Sequence, residues 1–118
     1  MTNIEMKKNK NEFCLIISGH AGYGEKNNLP TGCDIVCAAI SAISYTMMQR
    51  VENMENEKKT ISAHTECKPG YVFIHVIVKE NYCDELRWTI ETIKTAYELL
   101  SESYPDFVKL DLGWENRK

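Results

Sequence analysis

The run Tyr71-Val72-Phe73-Ile74-His75-Val76-Ile77-Val78 constrains the fold more than any other part of this 118-residue chain. As an extended strand it sends Val72, Ile74, Val76 and Val78 to one side, and Tyr71, Phe73, His75 and Ile77 to the other. Both sides are too apolar to lie bare in water, so the strand needs helices on one face and a cover on the second. A second copy of the chain is the economical cover, and a homodimer is expected; a substrate groove is the alternative.

The remaining elements supply that strand with neighbours. Ile4 and Met6 alternate with charged residues, Lys8 to Asn11 is a polar turn, and Phe13 to Ser18 reads as a strand buried on both faces. Gly19-His20 ends it. The stretch from Ala21 to Cys33 holds Gly22, Gly24, Gly32 and a proline, and is expected to be a loop. Asp34 is a good helix N-cap. Ile35, Ala39, Ala42, Ile43, Met47 and Val51 follow at helical spacing and predict a helix to about residues 51–53. Thr60 to Thr65 alternates, and Cys67-Lys68-Pro69-Gly70 sets Pro before Gly as a type II turn requires, so a hairpin leads into the long strand. Asn81 with Asp84 resembles a capping pair. Leu86, Ile90, Ile93, Tyr97 and Leu100 mark one face of a helix that stops before Pro105, and Val108, Leu110 and Leu112 alternate in a last strand. The order ββαββαβ predicts a single α+β domain over residues 1–118, with two helices packed on one face of a mixed, mostly antiparallel sheet.

A formal net charge of −3 argues against nucleic acid as a partner and suits a basic peptide better. No apolar run approaches the ~20 residues that span a bilayer, so no membrane partner is expected. The stretch Met1 to Lys8 has no signal-peptide core behind it, which points to a cytoplasmic location. The five cysteines, at 14, 33, 37, 67 and 83, are odd in number and contain no CxxC pair, so a disulfide framework is not expected. A reactive one must be told from its surroundings, because a free cysteine is by default a small buried hydrophobe.

One of them has such surroundings. With Asp34 as cap, Cys37 is the third residue of the helix, where the dipole and the free N–H groups favour a thiolate. The same N–H groups suit a developing oxyanion. His20 stands at a strand end among glycines, and the loop can fold it back onto the helix start. Cys and His within hydrogen-bond reach form the minimal activated nucleophile. Taken singly, these are a turn histidine and a core cysteine; taken together, Cys37 and His20 read as a catalytic pair.

The same residues carry a resemblance. Gly19-His20-Ala21, a glycine-containing loop, and then Gly32-Cys33-Asp34-Ile35-Val36-Cys37-Ala38-Ala39-Ile40-Ser41-Ala42 resemble the ribosomal-processing cysteine protease family, Prp. The layout of strands and helices matches over nearly the whole chain, although the loop around Glu25 to Pro30 is longer than that family's by several residues. The resemblance implies a homodimeric α+β fold, Cys37 as nucleophile, His20 as its partner, and no cofactor. It also implies endoproteolytic removal, after an aromatic residue, of the N-terminal extension of a large-subunit ribosomal protein, the twenty-seventh of that subunit, or cleavage of a similar phage structural protein. The loop carrying Gly22, Gly24 and Gly32 is then a substrate gate that orders over the peptide.

Supporting roles and rival readings attach to named residues. Asp34 is foremost the helix cap and could also orient His20. Ser41, one turn beyond Cys37, either hydrogen-bonds near the site or permits close helix packing. A zinc deaminase would need a Glu two residues after the His and a Cys-x-x-Cys pair; position 22 is Gly, and Cys33 and Cys37 have three residues between them, so no metal is expected. A non-catalytic peptide-binding module of the same fold is the other rival. His64 and His75 are expected at the sheet surface or an interface, Trp88 and Trp114 in packing. The charge runs Glu52 to Lys59 and Glu115 to Lys118 are expected to be solvated.

Overall fold

Five strands form one sheet in the computed structural model, which describes residues 1–30 and 34–114. They are β1 (Thr2–Lys8), β2 (Glu12–Ser18), β3 (Thr60–Lys68), β4 (Tyr71–Val78) and β5 (Val108–Leu112), in the spatial order β3-β4-β2-β1-β5. All neighbours are antiparallel except β1 and β5, which are parallel. The helices are α1 (Tyr23–Lys26), α2 (Ile35–Asn56) and α3 (Cys83–Ser103). The α+β class and the mixed sheet are as expected. The stretch read as pure loop, however, contains the single turn α1.

The alternation of β1, β2 and β4 decides where the core lies. Ile4 and Met6, Phe13, Leu15 and Ile17, and Ile74, Val76 and Val78 are buried on the face that carries α2 and α3. On α3 the buried residues are Leu86, Ile90, Ile93 and Tyr97, as their spacing predicts. On α2 they are Val36, Ile40, Ser44, Met47, Val51 and Met54, a face rotated from the predicted one, and Ile35 is exposed. The shift has a simple cause: α2 carries apolar residues most of the way round, so hydrophobicity alone marks no single stripe. One polar contact sets the packing of the helices. The Ser44 hydroxyl donates to the Ile40 carbonyl at 2.6 Å and therefore accepts from the Tyr97 hydroxyl at 2.7 Å. Burial pushes the Tyr97 phenol well above its ordinary pKa, so it stays a donor.

Among the described residues, no helix lies on the second face of the sheet. Cys14 and Ile16 of β2 and Phe73, His75 and Ile77 of β4 lie there half-buried, which corrects the reading of β2 as buried on both sides. His75 is as expected for a sheet surface; it pairs with Glu12, and that bond holds the Glu12 carboxyl below its ordinary pKa.

Two local expectations also change. The residue before α3 is Tyr82, with no side-chain cap, and Asn81 lies in a 3₁₀ turn (Glu80–Tyr82), so the Asn81–Asp84 capping pair does not form. Trp88 is not a packing residue: it is 66% exposed on α3 with the Arg87 guanidinium over its ring. Trp114 packs against the core with Lys8 over it, as expected.

Candidate active site

The site forms where the end of β2, the β3–β4 turn and the start of α2 meet. The pairing Ile17↔Val72 and Ser18↔Tyr71 carries the end of β2 alongside the start of β4, and hence alongside the Pro69-Gly70 turn. The Gly19 N–H then donates to the Gly70 carbonyl at 2.9 Å. Gly19 has φ +90°, and a Cβ there would stand 2.5 Å from the Met1 carbonyl oxygen, so only glycine fits. The chain leaves the sheet here and delivers His20, exposed, onto the turn.

Asp34 builds the facing wall. One carboxylate oxygen accepts the Val36 N–H at 3.0 Å and the Cys37 N–H at 2.9 Å, as an N-cap should. The other accepts the Gly24 N–H of α1 at 3.0 Å. Partial burial works to raise the Asp34 pKa, but these N–H bonds, together with the approach of the Cys37 thiol, outweigh it and hold the carboxyl below its ordinary value. This arrangement corrects one expectation. Of the helix-start amides expected to hold an oxyanion, those of Val36 and Cys37 are already taken by Asp34.

Half of the supposed gate is likewise anchored. Ala21 is buried, the Tyr23 ring packs edge-on against Tyr104 and Phe107, and Gly24 lies against Asp34. Residues 25–30 are exposed. Gly22 precedes α1 and is half-buried. Gly32 and Cys33 lie outside the described residues, as does the charge run Glu115 to Lys118.

His20 and Cys37 line the same two cavities. The first, of about 430 Å³, has Ile17, Ile40 and Val72 among its walls and Ser41, Tyr45 and Tyr71 around it. The second, of about 390 Å³, lies under Leu29 and Pro30 and includes Gly22, Gly24 and Asp34. Cys37 is half-buried between them. Among the described residues, neither ring nitrogen of His20 has a hydrogen-bond partner, so Asp34 does not orient it in this state.

Sequence reasoning missed the aromatic lining. Tyr45 could have been found, since Cys37, Ser41 and Tyr45 recur every four residues along one side of α2. Ser41 reaches the Tyr45 hydroxyl, to which the Cys67 thiol donates at 3.9 Å. Gly70, expected as a turn residue, also borders the histidine. Its φ is +73°, and a Cβ there would stand 2.9 Å from His20 Nε2. The other described thiols lie apart from the pair: Cys14 is on the open sheet face, where burial pushes its pKa up, and Cys83 begins α3. Among the described residues no three His, Cys, Asp or Glu side chains converge to hold a metal, while Cys33, which the zinc reading needs, lies outside them.

The family model for cysteine protease Prp matches residues 1–109. A Staphylococcus aureus ribosomal processing cysteine protease Prp is 26% identical over 97 residues, covering 82% of this chain and 83% of that one. The crystal structure of the S. aureus essential ribosomal processing protease Prp with a covalently linked product peptide superposes with a TM-score of 0.66 at 21% identity, covering 95% of this chain and 99% of that chain. SMU.848 from Streptococcus mutans gives 0.63 at 23% identity, covering 95% and 93%.

The capping geometry has a measurable consequence. Asp34→Ala is expected to lower stability by about 1 kcal/mol in urea unfolding at neutral pH. Because the folded pKa is depressed, that advantage of the native chain is complete above the unfolded value of about 3.9 and is lost as pH falls through the folded value. The two stabilities should converge in acid; a difference independent of pH would contradict the charged cap.

Proposed function

Because the chain belongs to the Prp family of cysteine proteases, we propose that Cys37 is its nucleophile, His20 its acid–base partner, and the N-terminal extension of a large-subunit ribosomal protein its substrate. The observation that carries this reading is the shared position of Cys37 and His20 at the junction of two cavities. A peptide lying across both presents one bond to the pair.

The chemistry then follows in steps. His20 takes the Cys37 proton, and the sulfur attacks the scissile carbonyl carbon. The proton passes to the leaving amine as the C–N bond breaks, leaving a thioester on Cys37. His20 next removes a proton from water, whose oxygen attacks the thioester carbon; the C–S bond breaks, the acid product leaves, and His20 returns the proton to the Cys37 sulfur. No cofactor enters any step. The walls Ile17, Ile40, Val72, Tyr45 and Tyr71 suit an aromatic side chain beside the scissile bond, and about 430 Å³ lies within the usual range of side-chain and ligand pockets. The S. aureus relative has been crystallised with a substrate peptide, which favours a peptide substrate here. The twenty-seventh protein of the large subunit is the substrate we favour, acted on in the cytoplasm, with a similar phage structural protein as the second choice.

The test is cleavage of a peptide copying an aromatic-rich N-terminal extension of that ribosomal protein. Wild type should cut after the aromatic residue, and Cys37→Ala and His20→Ala should each lose about 10²-fold or more. Cleavage that persists in Cys37→Ala would refute the assignment; no cleavage by wild type would refute the substrate.

We further propose a homodimer through the open sheet face, where Ile16, Phe73 and Ile77 form an apolar strip that no helix among the described residues covers. Sedimentation should give a dimer for wild type and a folded monomer for Phe73→Glu. A monomeric wild type would refute it.

A further inference from the structure

We infer that Gly70 is the positioning residue of His20: the β3–β4 turn gives the ring its orientation by contact, without the hydrogen bond or charge that an acidic third residue adds in a triad. This rests on the reading of His20 as the partner of Cys37. Four observations carry it. First, Asp34, the one carboxylate considered as a possible orienter, is engaged in its capping role: both its oxygens accept backbone N–H groups, and among the described residues no group hydrogen-bonds the imidazole. Second, the ring lies against Gly70. A Cβ at that position would meet Nε2 at 2.9 Å, Cε1 at 3.3 Å and Cδ2 at 3.5 Å. Third, Gly70 is tied to the residue next to His20, since the Gly19 N–H donates to its carbonyl at 2.9 Å. The histidine and its support therefore belong to one rigid corner of the sheet. Fourth, Gly70 lines the first cavity together with His20 and Cys37.

A side chain at position 70 would thus act on the site more than on the fold. The atom it meets is the far end of a side chain with two torsions, so the clash is relieved by swinging the imidazole. The left-handed φ of +73° adds strain for any L-residue with a Cβ, but that strain is the same whatever occupies position 20. Steric contact with His20 and backbone strain can therefore be separated by a double-mutant cycle.

The experiment measures Cys37 alkylation by iodoacetamide from about pH 5 to 8, where histidine titrates, with peptide cleavage and thermal unfolding alongside. The proteins are wild type, Gly70→Ala, His20→Ala and the double variant. Gly70→Ala is expected to stay folded, to adopt the alkylation profile of His20→Ala, and to lose roughly 10²-fold in kcat with little change in KM. Its drop in Tm should be smaller when His20 is already Ala. Gly70→Asn carries the same Cβ in a residue type that tolerates left-handed φ, and it gives the same reading should the alanine variant fail to fold. A wild-type profile and kcat in the folded Gly70 variants would overturn the inference while leaving the pair intact. A wild-type profile in His20→Ala would overturn both.

Discussion

Asp34 accepts three backbone N–H groups, from Gly24, Val36 and Cys37, and so joins the loop after β2 to the first turn of α2. An N-cap ordinarily closes one helix. This one also holds α1, whose Tyr23 is wedged between Tyr104 and Phe107 near the start of β5. The thiol of Cys37 therefore sits at a helix start that is clamped from both the helix and the loop side. The clamp has a chemical consequence as well. By engaging the first-turn amides, Asp34 takes for structure the donors that a bare helix N-terminus would offer to an oxyanion.

The histidine side of the site is built by different means. Strand pairing brings the end of β2 beside the β3–β4 turn, and the backbone bond between Gly19 and Gly70 locks the two together. Both glycines have left-handed φ, and each has a backbone or ring atom where a side chain would begin. Room for an imidazole is thus created by omission. A carboxylate fixes the cysteine wall, a glycine turn fixes the histidine wall, and the cavities lie between.

Much of this was legible from the residues in order. The alternation in Tyr71–Val78 foretold a sheet covered by helices on one side, and Asp34 foretold the start of α2. The placement of Cys37 at a helix start and of His20 just past a strand end was legible because such positions depend on short-range patterns. What was not legible depends on contacts between distant residues. Tyr23 looked like loop because its partners lie some eighty positions away. The buried face of α2 was misjudged because Ile35 and Val36 differ only in which side of the helix meets the sheet. The Gly70 contact with His20 needs the register of β2 on β4, which no local pattern states.

The claim on which the functional reading turns is that Cys37, among several thiols, forms the bond to substrate. Mass spectrometry of the protein quenched in acid during turnover of an aromatic peptide ester tests it directly, by locating the acyl group after digestion. The account expects the adduct on Cys37 as a thioester, with Cys14, Cys33, Cys67 and Cys83 unmodified. Product formation with the adduct on another cysteine, or with no adduct under conditions that trap thioesters, would contradict it.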